Sequence, residues 1–245
     1  MKPRTAALLG LAALLAGAGA WMWHGRDLDR RMVMADPDVL PADLFAHAVP
    51  LGRETFAAHC ASCHGADGKG DSARGVPSLV DIDRLYGAGT VGDIEQIIAH
   101  GIRAANGKSR AFAIMPAYAT ARPSPTEAIP PLTPGDISDV IDYLLKTGNP
   151  ESARRGATIF GDRGGCFDCH GADAKGDPAV GVPDLTDAIW LSGDGSRDAL
   201  YNTIARGSAG MCPAWLGTLD ARALRATAVY VHSLSHPATP PLPSR

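Results

Sequence analysis

The feature that most constrains this chain is a five-residue pattern, Cys60-Ala61-Ser62-Cys63-His64, which returns as Cys166-Phe167-Asp168-Cys169-His170. Each is a C-x-x-C-H, the spacing that attaches a c-type haem. Cysteines three apart lie on one face of a helical turn, where both thiols can bond the vinyl groups of one haem. The adjoining histidine then reaches the iron as proximal ligand. Both copies run on into Gly-Ala-Asp. A thioredoxin-like disulfide would sit in a βαβ pattern, which is not found here, and a Cys/His zinc site would leave the repetition unexplained. The sequence therefore predicts two covalently attached haem c groups, one on Cys60 and Cys63 and one on Cys166 and Cys169, with His64 and His170 as axial iron ligands.

The repetition extends well past the motif. Adding 106 carries Cys60 to Cys166, Gly75-Val76-Pro77 to Gly181-Val182-Pro183, Leu79 to Leu185, Leu85 to Leu191, Ile98 to Ile204 and Gly101 to Gly207, without a gap. The register then slips. Met115-Pro116-Ala117-Tyr118 matches Cys212-Pro213-Ala214-Trp215 at an offset of 97, so the first copy holds extra residues within 103–110. A second insertion, at 123–131, carries four prolines and reads as a stiff surface loop.

Each copy ends in an amphipathic helix. In the first, Thr133 is the N-cap, Pro134 takes the first helical position and Asp136 sits three beyond the cap. Ile137, Val140, Ile141, Leu144 and Leu145 form its apolar stripe, and Gly148 stops it. In the second, Asp220 is the cap and Leu224, Ala228, Val231 and Leu234 the stripe. Tyr143 and Tyr230 fall at matching positions. A further short helix at 52–59 runs into the first motif, with Phe56 in the core. Glycine (28) and proline (19) are plentiful and aromatics make up only 6% of residues. That balance suits small, loop-rich helical domains in which two buried haems fill much of the core.

The N-terminus carries a separate message. Lys2 and Arg4 precede an apolar run at 6–23, near the lower limit for a bilayer-spanning helix. Trp21 and Trp23 suit a membrane interface. Ala18-Gly19-Ala20 also has the form of a signal-peptidase site. The segment is thus a membrane anchor or a cleaved signal, and either one exports everything after His24. The product lies on the periplasmic side of the inner membrane if anchored, and is soluble in the periplasm if cleaved. Lys2 and Arg4 lie on the inner side of the run, while Arg26, Arg30 and Arg31 flank its outer side. Residues 24–50 are charged, then punctuated by Pro37, Pro41 and Pro50, and show no clear period; they read as a tether. The division expected is 1–23 anchor or signal, 24–50 tether, 51–149 and 150–236 two haem domains, and 237–245 a proline-rich, disordered tail. With a net charge of −3 and no basic run, the chain is no nucleic-acid binder.

An iron that only carries electrons benefits from two strong axial ligands, which keep substrate off it, and histidine with methionine also raises the potential. Met115 is the expected partner of His64. At the second site the repeat sets Cys212, not Met211, opposite Met115. Three arrangements follow: Met211 ligates after a one-residue shift, Cys212 ligates as a thiolate, or Cys212 is a bystander beside Met211. Met211 is taken as the ligand and Cys212 as its alternative. His24, His47, His59, His100, His232 and His236 are given no ligand role.

Both halves resemble class I cytochrome c domains, so the fold expected is all-α. Residues 181–191 (Gly-Val-Pro-Asp-Leu-Thr-Asp-Ala-Ile-Trp-Leu), Pro213-Ala214-Trp215 and 228–234 (Ala-Val-Tyr-Val-His-Ser-Leu) also resemble the di-haem subunit of cbb3-type cytochrome oxidases, called CcoP or FixP. His100-Gly101-Ile102-Arg103 and Met115-Pro116-Ala117 are similar to that family in the first half, and the likeness covers about 51–236. The family's Met-Pro-Ala-Trp stands here as Met211-Cys212-Pro213-Ala214-Trp215. The resemblance implies a subunit that passes electrons from soluble cytochrome c or the bc1 complex to a haem–copper oxygen-reducing subunit, with no bond-making chemistry of its own. By that similarity Cys60, Cys63, His64 and Met115 hold one haem. Cys166, Cys169 and His170 hold the other, with Met211 as sixth ligand. The rival functions are a free-standing periplasmic electron carrier and a di-haem sulfur-compound dehydrogenase or peroxidase, the latter favoured by Cys212.

Overall fold

The computed structural model describes residues 3–82, 85–124, 127–191 and 193–236, and of residues 3–9 and 11 the backbone alone. The tail at 237–245 lies outside the described residues, and so do the side chains of residues 6–9 and 11 in the apolar run at 6–23. The helices are α1 (Pro3–Met34), α2 (Ala42–His59), α3 (Ala61–His64), α4 (Val91–His100), α5 (Pro134–Leu145), α6 (Pro150–Gly161), α7 (Phe167–His170), α8 (Arg197–Arg206) and α9 (Ala221–Ser235). Among the described residues β-pairing is confined to isolated bridges, and the fold is all-α.

The helix ends follow from local chemistry. Thr133 and Asp136 form a reciprocal capping box at α5, with Pro134 at its first position. Asp220 accepts from the Ala223 N–H at the start of α9. Thr90 and Ser196 cap α4 and α8, and Gly101 and Gly207 end them at φ 73° and 76°.

Residues 24–50 are not an aperiodic tether. Helix α1 continues to Met34, with Leu28, Met32 and Val33 against the core and the Asp27–Arg30 pair (2.8 Å) on its outer side. Met32 is fully buried. Helix α2 begins at Ala42 and runs through Pro50, which forfeits one backbone hydrogen bond. Leu44, Ala48, Gly52 and Phe56, four apart and all buried, hold the helix together across that defect. Among the described residues no helix is long and apolar enough to cross a membrane.

The two contiguous copies are not the units of packing. One core joins the end of α1, α2, α4 and α9 through Met32, Leu44, Phe56, Ile94 and Val229. The other joins α5, α6 and α8 through Ile137, Ile141, Ile159, Leu200 and Ile204. Helix α9 therefore closes the first unit, and α5 closes the second. Both crossings are tight. A Cβ on Gly52 would overlap the Ala226 carbonyl, and one on Gly156 would overlap that of Asp139. Phe56 meets Tyr230 edge-on with ring centroids 5.4 Å apart, and Phe160 meets Tyr143 at the same distance. The exchange has a local cause. Only residues 146–149 separate α5 from α6, and helices joined by so short a link pack as an antiparallel pair. Lys146 (φ 54°) and Gly148 (φ 74°) make the reversal.

Candidate functional site

The two C-x-x-C-H motifs fold alike. Each histidine ends a one-turn helix that Gly65 or Gly171 closes at φ 77° or 75°. His64 Nδ1 lies 3.3 Å from the Pro77 carbonyl oxygen, and His170 Nδ1 lies 3.2 Å from that of Pro183. A carbonyl only accepts, so Nδ1–H donates and the Nε2 lone pair is left for a metal. Burial moves both imidazoles below the ordinary histidine range, against the opposing pull of the proline carbonyls, which keeps them neutral and able to ligate. The proline loops are seated by Gly70 and Gly176, where any Cβ would overlap the carbonyls of Val76 and Pro77 or of Val182 and Pro183.

What faces each motif across its cleft differs from the pairing expected in sequence. Met115 lines one largely apolar cleft with Cys166, Cys169, His170, Phe160, Leu185 and Trp190. Its backbone exchanges two hydrogen bonds with Ser208, each 3.0 Å. Met115 therefore sits with His170 and not with His64, because its loop leads into α5 and travels with that helix. The loop carrying Met211 and Cys212 leads into α9 and lies in the first unit, so neither residue faces His170. Trp215 packs on His59 at the end of α2, ring centroids 5.0 Å apart. Cys212 is close to both thiols of the first motif. Burial, then the nearness of Cys212 and Cys63, pushes the Cys60 thiol up to about 11. Met211 is 74% exposed.

A family model described as cytochrome c matches residues 49–148, and one described as cytochrome c oxidase, cbb3-type, subunit III matches 151–231. The cbb3-type cytochrome c oxidase subunit CcoP of Rhodobacter capsulatus is 37% identical over 221 residues, covering 84% of this chain and 70% of that protein. The chain belongs to the CcoP/FixP family. The FixP subunit of Bradyrhizobium sp. (strain ORS 278) is 39% identical over 204 residues, with 81% of this chain and 63% of the relative covered. For the CcoP subunit of Azospirillum brasilense the values are 38% over 200 residues, 78% and 64%. The chain thus spans a little under two thirds of the length of these two relatives. As a CcoP/FixP-family chain with two cytochrome c domains, it carries two covalently attached haem c groups. The paired thiols, neutral imidazoles and apolar cleft suit that group.

Two arginines brace this CcoP/FixP-family site; Arg122 is silent in the sequence, and Arg103 stands out there only as the end of His100-Gly101-Ile102-Arg103. Arg103, itself at φ 52°, donates to the carbonyls of Gly210 (2.5 Å) and Ala113 (2.7 Å) and to the Tyr86 hydroxyl (3.3 Å), binding the two ligand loops to each other. Arg122 donates to the carbonyls of Gly164 (2.9 Å) and Arg163 (3.0 Å) and lies over the Tyr118 ring at 4.3 Å. It braces the approach to Cys166, and Tyr118 lines the second cleft. The 123–131 insertion begins just beyond it, closed by the Arg122–Ile129 bridge. Repetition cannot flag either arginine, since residues at the offsets of 97 and 106 serve other contacts.

Proposed function

We propose that this chain is the electron-input subunit of a cbb3-type haem–copper oxidase, taking electrons from a soluble cytochrome c or a bc1 complex and delivering them to the oxygen-reducing subunit. The observation that carries this is the second cleft, where Cys166, Cys169 and His170 face Met115 across an apolar interior. The names of the relatives, cbb3-type oxidase subunits CcoP and FixP, supply the assembly. Haem c supplies reversible one-electron chemistry at its iron.

The protein's part is to bind and tune. Cys60, Cys63, Cys166 and Cys169 hold the porphyrins covalently. His64 and His170 ligate through Nε2, oriented by the Pro77 and Pro183 carbonyls. Met115 completes the set at His170 and keeps small molecules off that position. Phe160, Leu185 and Trp190 exclude water. The exposed apolar side chains of α1 (Leu14, Leu15, Trp21, Met22 and Trp23) support attachment to a membrane with both sites on the periplasmic side.

Purification of the tagged native protein in mild detergent tests the assembly. Haem b and oxygen reduction are expected to co-purify. Haem c alone, without partner chains, would overturn the proposal.

A further inference from the structure

Ile102 and Cys212 exchange two backbone hydrogen bonds (2.9 and 3.0 Å), as Met115 and Ser208 do. The offsets of the repeat carry Ile102 onto Ser208 and Met115 onto Cys212. The likeness continues along the loops. The Tyr118 N–H donates to the Ile204 carbonyl and the Trp215 N–H to that of Ile98, both at 3.0 Å. Gly207 is pressed against the Met115 carbonyl as Gly101 is against that of Cys212. Cys212 thus occupies at the first motif the place that Met115 occupies at the second.

Met211 does not. Successive side chains on a bridged segment point to opposite sides, and a one-residue slip would break both bonds to Ile102. Ile114, which precedes Met115, is 58% exposed, just as Met211 is 74% exposed. In both loops the residue before the bridge is exposed and the bridged residue is partly buried, Met115 in the cleft of the second motif and Cys212 beside Cys60 and Cys63 of the first.

We propose that the haem on Cys60 and Cys63 is ligated by His64 and by the Cys212 thiolate, an inference that rests on the haem-site reading above. On binding, the Cys212 thiol gives its proton to solvent and its sulfur lone pair to ferric iron. An anionic sulfur favours the ferric state over a neutral thioether, so this haem is the harder of the two to reduce. Electrons then come to rest on the haem of His170 and Met115.

The test uses the intact holoprotein. Electron paramagnetic resonance of the oxidised protein is expected to show a low-spin ferric thiolate signal beside one methionine-ligated haem. A potentiometric titration is expected to show two well-separated steps. Cys212→Met should abolish the thiolate signal, add a second methionine-to-iron charge-transfer band and bring the two steps together, whereas Met211→Ala should change nothing. Should Cys212→Met fail to fold, alkylation of the unaltered oxidised protein decides, since a ligated Cys212 resists iodoacetamide and a free one is modified. An unchanged spectrum in Cys212→Met, a change in Met211→Ala, or ready alkylation of Cys212 would overturn the assignment. Haem stoichiometry by mass and co-purification with haem b are read from the same preparation, so a failed oxidase assignment is told apart from a failed ligand assignment.

Discussion

The two haem units share a backbone plan and differ in what fastens them. In the first, the guanidinium of Arg225 on α9 is buried, bonded to Glu95 at 2.5 Å and to the carbonyls of Met32 and Ala35 at 2.8 and 2.9 Å. One side chain there ties α1, α4 and α9. In the second, the fastening is carboxylate-centred and closer to solvent. Ser152 donates to Asp139 (2.7 Å) and to Asp142, Arg155 pairs with Asp139 (2.7 Å), and Arg197 with Asp142. The same glycine-and-aromatic crossing is thus secured by a buried ion pair in one unit and by a pH-sensitive network in the other. Backbone plan and fastening vary independently.

The largest expected effect concerns the exchange itself. Expressed separately, residues 1–148 and 149–236 should each lack a closing helix and fail to give a native haem spectrum, and mixing should restore both units. A native spectrum from either fragment alone, by absorbance and circular dichroism, would show that α5 can close on α2, or α9 on α6, and that the exchange is dispensable. Next, Arg225→Ala should cost about 3–5 kcal/mol in denaturant unfolding, because Glu95 and two carbonyls lose a buried partner. Asp142→Asn in the second unit should cost less, about 1.5–3 kcal/mol at neutral pH, the range for hydrogen bonds to a charged group.

The networks also separate by pH. Hydrogen bonds from Ser152, then Arg197, hold the Asp142 carboxyl below the usual carboxylate range, and Arg155 first does the same for Asp139. A depressed folded value means that the unfolded chain binds more protons. The stabilisation is therefore full above the unfolded value of about 3.9 and is lost as pH falls through the folded one. The second unit should lose stability in acid over that window, and Asp142→Asn should flatten its melting-temperature profile there. The smallest effect is expected for Arg155→Ala. Arg155 is half exposed, so solvent screens its pair with Asp139 and the change should leave the denaturant midpoint at neutral pH nearly where it was.

Much of this was legible in the sequence, because capping and haem attachment are local. Thr133 with Asp136, Asp220, and both C-x-x-C-H motifs act through neighbours within a few residues. The tether was misjudged because Pro50 looks like a boundary, whereas the buried row of Leu44, Ala48 and Phe56 overrides the lost hydrogen bond. The ligand pairing was misjudged for a different reason. Repetition tells which residues are equivalent, not which copy they pack upon. The signal was the shortness of the link at 146–149, which dictates that α5 stays with α6.

The exchange sets an order of completion during biogenesis. The unit begun by the earliest-made helices cannot shut until α9, the last of the described helices, has been synthesised. The later-numbered unit needs only the stretch from Met115 to Ser208. Contacts so distant along the chain are slow to form. The first haem would thus be attached to a half-finished pocket, whose open groove beside Gly52 is exposed to proteases and chaperones until the last helix arrives.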